Sequence, residues 1–265
     1  MSLFQKFGVT GVAFIDFETT GLDPKENYPT EVAIKKVGIS KLTATPYIRE
    51  YQTMIKLPEG VEISEFIQQL TGLTTEKVNS EGKDITEVIP EVQNLIDNET
   101  LVVAQSANFD LGYLAVHFGI EPELFVCTKT VEFFTAPHLS TSLNDTHKRY
   151  APEVTFEQTH RAMDDVNMLM DIFNGQVALH GNDGMMFFIN KIAIPPERPL
   201  VYYPANGIFL DYGVKYVSSK TYEKLKKEVE ELRKDAEKYH RLEAYGVDNW
   251  SGYGEAMSDS EGIFE

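Results

Sequence analysis

Apolar positions in the first part of the chain form short runs that predict β-strands. A run of small and apolar residues from Gly11 to Ile15 lies close to turn residues, which is typical of a buried strand. Residues 31–39 and 47–56 predict two further strands, and the loose alternation of the second indicates a sheet with one partly exposed face. Residues 101–104 and 126–127 predict a fourth strand and a short edge strand.

Apolar residues at helical spacing predict helices in the same region. Asp84 is a candidate N-cap, whereas Pro90 predicts a kink or a later start of its helix, because proline interrupts helical hydrogen bonding. Strands that come first and are then interleaved with helices indicate an α/β fold, a mixed sheet flanked by helices. The predicted helices cover residues 64–70, 84–97, 109–118, 143–150 and 161–173.

The chain changes character towards its C-terminus. We expect a main domain at 1–178, an accessory segment of irregular or short β-structure at 179–218, a helix at 219–245 and an acidic tail at 246–265. The helix carries apolar residues alternately three and four apart, which resembles a coiled-coil seam. This seam predicts either pairing with a second copy or a partner protein, or packing within its own chain. The seam residues are Tyr222, Leu225, Val229, Leu232, Ala236 and Tyr239.

Composition narrows the class of protein. A chain of 265 residues with 42% hydrophobic and 25% charged residues can bury a sizeable core. Its single cysteine, Cys127, excludes an intramolecular disulfide and suits a reducing compartment. Neither a signal peptide nor a run long enough to span a bilayer is evident, so we expect a cytoplasmic protein without a membrane partner.

The net charge of −17 is unusual for a protein that binds nucleic acid, since such proteins are generally basic. Part of this charge lies in the tail 246–265, which has five acidic residues and no Lys or Arg. Carboxylates at a metal site would account for more of it, because bound cations neutralise them. Any attraction for phosphate must then be local, and a long duplex footprint is not expected.

The carboxylates of Asp16 and Glu18 follow the first predicted strand directly. Residues two apart on a strand project to the same face, so the two side chains would lie side by side. Adjacent carboxylates repel each other unless a cation lies between them, and oxygen ligands suit Mg²⁺ or Mn²⁺. Taken alone, such a pair is more often a plain surface pair, and the metal interpretation needs further residues.

Three later residues extend this pattern. Asp110 follows a predicted strand and loop, and His160 and Asp165 lie five apart at the start of the last predicted helix. Each is unremarkable alone, since a histidine at a helix start is usually a cap or a surface residue. Asp164 is the neighbour that we do not expect to bind the same ion, because adjacent helical residues point about 100° apart.

Three motifs closely resemble those of the DEDDh 3′-to-5′ exonucleases: DFETTGL at 16–22, NFD at 108–110 and HRAMDD at 160–165. This group includes the proofreading epsilon subunit of bacterial DNA polymerase III. The resemblance covers residues 9–175 and is supported by LTGLTTEKV at 70–78 and SLNDTHKRY at 142–150. It implies a ribonuclease H-like fold with a five-stranded mixed sheet. The C-terminal extension with the long helix, residues 176–265, lies outside the resemblance.

The resemblance implies a catalytic set that agrees with the chemistry of the residues. Two divalent cations, Mg²⁺ or Mn²⁺, would activate a water and stabilise the charge on the phosphorus and on the leaving 3′ oxygen. His160 would accept the proton of the water near neutral pH, which places the chain in the histidine branch of the family. The metal ligands would be Asp16, which is best placed to bridge both ions, together with Glu18, Asp110 and Asp165.

Further residues are assigned to the terminal nucleotide by the same resemblance. The backbone near Thr19 and Thr20 and the side chain of Leu22 would hold it, with Leu22 either an apolar wedge or a core residue. Asn108 would contact the substrate or shape its loop, and Leu73 would border the pocket.

The resulting prediction is a metal-dependent 3′-to-5′ exonuclease that releases nucleoside monophosphates from the 3′ ends of single-stranded DNA. An exoribonuclease with the same site is the first alternative, because nothing in the sequence shows whether the pocket admits a 2′-hydroxyl. The second alternative is a subunit that acts mainly within a polymerase or another assembly, which it would join through residues 219–265.

Overall fold

The computed structural model describes residues 7–154, 161–194 and 199–211, together with 227, 231–232 and 234. The chain divides into two compact units, Met1–Lys215 and Tyr216–Glu265, and every strand and helix given below belongs to the first. The predicted helix at 219–245 and tail at 246–265 lie, apart from those isolated positions, outside the described residues.

A mixed five-stranded sheet forms the centre of the first unit, as predicted. The strands lie side by side in the order β3-β2-β1-β4-β5. Strand β2 pairs antiparallel with both β1 and β3. Strand β4 pairs parallel with both β1 and β5. The short strand around Cys127 lies at the sheet edge, also as predicted. The strands are β1 (Gly11–Thr19), β2 (Pro29–Ile39), β3 (Pro46–Met54), β4 (Thr100–Ala104) and β5 (Leu124–Cys127).

Helices cover both faces of this sheet, because the alternating residues of β1 are apolar on both sides. Val12 and Phe14 face a cluster that contains the last long helix, while Ala13, Ile15 and Phe17 face the opposite cluster. The helices are α1 (Glu65–Thr71), α2 (Thr75–Glu81), α3 (Ile85–Leu95), α4 (Ala107–Phe118), α5 (Thr128–Thr135), α6 (Leu143–Tyr150) and α7 (Ala162–Phe187).

Helix α3 begins at Ile85 and contains Pro90, so the expectation of a later start is wrong. Asp84 caps the helix as predicted, since its carboxylate accepts a hydrogen bond from the Thr86 N–H at 3.0 Å. Three apolar residues of α3, Val88, Val92 and Leu95, are buried. Burying each of them is worth about 1.5–3 kcal/mol, which together outweighs the roughly 3 kcal/mol that an internal proline costs.

Helix α7 continues to Phe187, so the expectation of irregular or β-structure is wrong for residues 179–187. Gly181 has a φ of 67° and interrupts the helix, but the helical turns resume after it and bury Met185. Two short parallel strands follow, β6 (Lys191–Ile194) and β7 (Ile208–Asp211). None of the helices in the described residues is both long and apolar enough to cross a membrane.

Candidate active site

The carboxylates of Asp16 and Glu18 lie at the C-terminal end of β1, where they continue the face formed by Val12 and Phe14. Helix α7 covers that face and carries Asp165 in its first turn. One carboxylate oxygen from each of Asp16, Glu18 and Asp165 lies within 4.8 Å of the other two. The structure therefore brings together two of the predicted motifs, which are almost 150 residues apart in the sequence.

Asp110 approaches this group from the other side of the sheet. It lies in the first turn of α4 and is 3% exposed. Within the described residues, its Oδ1 atom is buried without a hydrogen-bond partner. The negative charge of Asp110 is one of those that raise the pKa of Asp16, so its carboxylate belongs to the same cluster.

Burial and mutual repulsion raise the pKa values of these acids. Burial raises the pKa of Asp16 well above its usual value, and the charges of Asp110, Asp165 and Glu18 raise it further. Burial, followed by the charges of Asp165 and Glu31, raises the pKa of Glu18 to about 8. Burial also raises the pKa of Asp110 to about 8, although backbone hydrogen bonds from Asp110 and Phe17 act in the opposite direction.

This donor set fits a divalent cation. It consists of carboxylate oxygens that repel one another, and the buried Oδ1 of Asp110 is free to act as a ligand. A bound cation would remove the repulsion that raises the pKa of Asp16. Hard cations such as Mg²⁺ and Mn²⁺ prefer such ligands. Three of the acids identified from the sequence, Asp16, Glu18 and Asp165, therefore form a group with the chemistry of a metal centre, and Asp110 lies near it.

A buried ion pair next to the cluster was not predicted from the sequence. The side chain of Glu31, 1% exposed, lies on β2 opposite Glu18 and accepts hydrogen bonds from Arg161 Nε at 3.1 Å and Nη2 at 2.6 Å. It also accepts hydrogen bonds from the Ala162 N–H at 3.2 Å and from Gln52 Nε2 at 3.0 Å. We call the paired Glu31 and Arg161 side chains the Glu31–Arg161 clamp.

The clamp fixes the start of α7 against the sheet. Burial alone would raise the pKa of Glu31, but the hydrogen bonds and positive charge of Arg161 outweigh it and leave the pKa below the usual value. Glu31 thus stays ionised and bound to Arg161. Arg161 lies four residues before Asp165, the candidate metal ligand on α7. The signal that could have indicated this role is an acidic residue, Glu31, placed directly before the apolar residues Val32, Ala33 and Ile34 of β2.

The loop that follows β1 is held rigidly and presents Leu22. The carbonyl oxygen of Gly21 accepts hydrogen bonds from Thr19 Oγ1 at 2.6 Å and from the Tyr113 hydroxyl at 2.8 Å. A Cβ atom at Gly21 would lie 2.2 Å from Asn27 Oδ1, so a larger residue there would have to displace the Asn27 side chain. Leu22 itself is 51% exposed, which excludes the core alternative for this residue.

A cleft of about 510 Å³ opens beside the carboxylates. Asp16, Glu18 and Asp165 line its acidic end. The apolar side chains of Leu22, Phe66, Leu70 and Phe109 line the rest, and Phe66 is 73% exposed. This combination suits a ligand with a phosphate at one end and a flat apolar group, such as a nucleobase, at the other.

The other predicted residues fall into different places. Thr19 lines the cleft, whereas the Thr20 hydroxyl accepts a hydrogen bond from the Tyr28 N–H at 3.0 Å and supports the loop. Asn108 lies outside the cleft and lines a neighbouring cavity. Leu73 is 0% exposed in a small apolar cluster, so it offers no surface to a ligand. The predicted base His160 lies outside the described residues.

Residues 13–173 match the family model described as exonuclease, RNase T. The chain belongs to this exonuclease family. The match covers more than half of the 265 residues and includes all four carboxylates and His160. It confirms the resemblance to the DEDDh group. Residues 215–263 match a second family model, described as the phage T7 gp5.9 RecBCD inhibitor.

Curated relatives of the chain include DNA polymerases. The DNA polymerase III PolC-type of Thermotoga maritima is 35% identical over 108 residues, which cover 41% of this chain and 7% of the polymerase. The corresponding protein of Thermotoga petrophila is 37% identical over 100 residues, with 38% and 7% covered. The chain thus spans a small part of the curated relatives it matches.

Solved structures of exonuclease I share the fold. Exonuclease I of E. coli in complex with a dT13 oligonucleotide superposes with a TM-score of 0.52 and 15% identity, over 67% of this chain and 42% of that one. Exonuclease I of Methylocaldum szegediense gives a TM-score of 0.54 and 16% identity, over the same shares. At such identities the likeness shows the fold alone, and it confirms the predicted ribonuclease H-like architecture.

Proposed function

We propose that this chain is a metal-dependent 3′-to-5′ exonuclease that removes nucleoside monophosphates from the 3′ ends of single-stranded DNA. One observation carries the proposal: Asp16 and Glu18 from β1 and Asp165 from α7 converge on one cleft. Asp110 of α4 is close enough for its charge to raise the pKa of Asp16. The exonuclease I complexes with oligonucleotides support single-stranded DNA as the substrate class.

The four carboxylates would hold two divalent cations, with Asp16 between them. Bound there, the cations would lower the pKa of a water and neutralise charge on the phosphate. We assign to His160 the removal of the proton from that water, since an imidazole titrates near neutral pH. Attack of the water on phosphorus breaks the bond to the 3′ oxygen, which leaves a shortened strand with a 3′-hydroxyl and a free nucleoside 5′-monophosphate.

The acidic end and the apolar end of the cleft would bind different parts of the terminal nucleotide. Thr19 lines it beside the carboxylates, and Leu22 and Phe66 provide apolar surface for the base. Thr20 keeps the loop in place through its own hydrogen bonds. RNA remains the alternative substrate.

The reaction is tested with 5′-labelled single-stranded DNA and the matching RNA. The full chain with Mg²⁺ or Mn²⁺ is expected to produce a ladder that shortens from the 3′ end, and EDTA is expected to abolish it. Asp16→Asn and His160→Ala are each expected to reduce the rate by at least about 10²-fold, since they remove a ligand and the base. Gel electrophoresis over time measures the shortening of the labelled strand for the wild type with metal, the wild type with EDTA and each of the two variants.

The control is Asp164→Asn, which neutralises an acid adjacent to Asp165 that does not line the cleft. It is expected to keep activity within about threefold of the wild type, because the half-buried Asp164 does not line the cleft. Cleavage of RNA but not of DNA would show that RNA is the substrate and would leave the proposed reaction unchanged. An unaffected Asp16→Asn variant would refute the site.

A second candidate function belongs to residues 215–263, since these match the RecBCD inhibitor model. We propose that this segment binds a RecBCD-type helicase–nuclease, so that the chain combines a nuclease with an inhibitor. The heptad pattern at 219–245 also predicts two alternative partners, a second copy of the chain or a polymerase. The division of the chain into segments at residues 178, 218 and 245 remains a prediction.

The inhibitor proposal is tested with the Asp16→Asn chain, which should not degrade DNA itself. This protein is expected to slow the degradation of linear duplex DNA by purified RecBCD in a dose-dependent manner. The matched control is the same variant ending at residue 214, which should have no effect. Equal inhibition by both proteins would place the effect in the nuclease domain, and no inhibition by either would reject the proposal.

A further inference from the structure

The loop that joins β1 to β2, residues 20–28, is stabilised by hydrogen bonds of its own. The backbone N–H of Asn27 and its side-chain Nδ2 both donate to the carbonyl oxygen of Asp23, at 2.9 and 3.0 Å. Leu22 belongs to this loop, is 51% exposed and lines the cleft beside the carboxylates. The position of Leu22 therefore depends on what holds the loop as a whole.

Tyr113 of α4 fixes the loop on one side of Leu22. Its hydroxyl donates a hydrogen bond to the carbonyl oxygen of Gly21 at 2.8 Å. The Tyr113 side chain is 0% exposed, and burial raises its pKa to about 12. The hydroxyl thus keeps its proton throughout the neutral pH range and remains a donor to the residue that directly precedes Leu22.

His117 of α4 fixes the loop on the other side of Leu22. Its Nε2 atom lies 2.8 Å from the carbonyl oxygen of Pro24 and 2.9 Å from that of Asn27. Burial lowers the pKa of His117 more than these hydrogen bonds raise it, so the ring is neutral at pH 7. Because a carbonyl oxygen can only accept, the single N–H of the ring must be on Nε2. The ring also stacks on Tyr113, with centroids 5.5 Å apart and planes 15° apart.

The helix that carries these two donors also carries Asp110 in its first turn. Helix α4 approaches the loop closely at Gly112, where a Cβ atom would lie 3.0 Å from Cγ of the buried Pro24. Glycine weakens a helix interior, and here it allows the loop to pack directly against the helix. Helix and loop form one packed unit, which links Leu22 to a candidate metal ligand.

We propose that Tyr113 and His117 are positioning residues of the nuclease, which hold Leu22 in a fixed place relative to Asp110 so that it contacts the terminal nucleotide. This inference rests on the proposed function, because it takes the occupant of the cleft to be the end of a DNA strand. Neither side chain is among those that line the cleft, so both act through the loop. Losing either attachment weakens the binding of DNA and leaves the metal ligands unchanged.

The test measures steady-state cleavage of dT10 by the full chain with Mg²⁺. Tyr113→Phe removes only the hydroxyl, and His117→Phe keeps an aromatic ring and removes the donor. Each is expected to raise KM about fivefold, the effect of one lost hydrogen bond, and to leave kcat and the half-saturating Mg²⁺ concentration within about twofold of wild type. His117→Gln again offers an N–H at the end of the side chain and should return KM to within about twofold of wild type.

Two further variants separate positioning from a structural role. Leu22→Ala removes the side chain that the loop presents. In that background Tyr113→Phe should change KM by less than about 1.5-fold, because both substitutions then affect the same contact. Tyr47→Phe is the matched control, since it removes a hydroxyl where β3 pairs with Gly38, at the end of the sheet opposite the carboxylates. It should leave KM and kcat unchanged.

The outcomes separate this inference from the proposed function. An unchanged KM in Tyr113→Phe and His117→Phe, or a rise in KM that persists in full in the Leu22→Ala background, would overturn the positioning role. If the wild type does not cleave dT10, the proposed function fails instead. Fluorescence anisotropy of 5′-fluorescein-dT10 with Ca²⁺ then decides the inference: weaker binding by the two variants than by Tyr47→Phe supports it, and equal or absent binding by all three rejects it.

Discussion

Replacing Asp110 by Asn is expected to abolish nuclease activity while raising the melting temperature of the metal-free protein. The carboxylate is 3% exposed, its Oδ1 accepts no hydrogen bond from the described residues, and burial raises its pKa to about 8. It is about half-ionised at pH 8, and the ionised form destabilises the fold unless a cation is bound. Asparagine removes the charge and the metal ligand at once.

The pH dependence of this effect follows from the pKa. Because the pKa of Asp110 is higher in the folded than in the unfolded state, the folded protein binds more protons between about pH 4 and pH 8. The free energy of unfolding of the metal-free protein therefore falls as the pH rises through this interval. At pH 8, Asp110→Asn should raise the melting temperature by about 3–6 °C, as about 1–2 kcal/mol does in a domain of this size.

Calorimetry in EDTA at pH 5 and pH 8 measures this gain, which should nearly vanish at pH 5. Added Mg²⁺ should stabilise the wild type and have little effect on the variant, and the cleavage rate should drop by at least about 10³-fold. Asp164→Asn again provides the control, with little change in either quantity. A variant that is inactive and also less stable at both pH values would indicate a structural role for Asp110.

Replacing Glu31 by Ala is expected to weaken metal binding and stability together. Glu31 accepts two hydrogen bonds from Arg161 and one from the N–H of Ala162, at the start of the helix that carries Asp165. Breaking a buried ion pair costs about 3 kcal/mol here, near the low end for such pairs, because Arg161 is partly exposed and can regain water. A loosened helix start should raise the half-saturating Mg²⁺ concentration about tenfold and lower kcat by 10–100-fold, as for other residues that position ligands.

Metal titrations of the cleavage rate, with melting curves, separate positioning from stability alone. Arg161→Lys loses the paired hydrogen bonds and should shift the Mg²⁺ requirement in the same direction, but less. Lys41→Ala breaks the exposed ion pair with Glu99 and should cost less than about 1 kcal/mol without changing the Mg²⁺ requirement. A lower melting temperature with an unchanged Mg²⁺ requirement would show that the clamp has no positioning role.

The elements of the sheet were predictable because their signals are local. The run before Asp16 and the alternation over residues 47–56 both reflect which side chains face the core, and β1 and β3 occupy these positions. The sequence also predicted which acids would cluster, since two carboxylates on one strand face must lie together. Asp110 and Asp165 joined them only through family resemblance, because no local pattern links residues so far apart.

The errors came from interactions that depend on packing. Pro90 stays inside α3 because the buried face of that helix outweighs one missing hydrogen bond. Leu73 was assigned to the pocket by family resemblance, yet the fold buries it completely. A sequence pattern reports the average preference of a segment for helix, strand or core. The burial of Leu73 and the tolerance of Pro90 depend instead on which residues of other segments pack beside them.

The sequence by itself determined the order of the five strands of the main sheet and five of the seven helices, but not α2 and α5, and it predicted an oxygen-rich metal site at Asp16 and Glu18. Only the tertiary structure decided that Glu31 binds Arg161 at the start of α7, and that Tyr113 and His117 bind the loop after β1. The physical reason is distance along the chain. Hydrophobic periodicity encodes how a segment faces the core, but ion pairs and loop contacts join residues that only folding brings into contact.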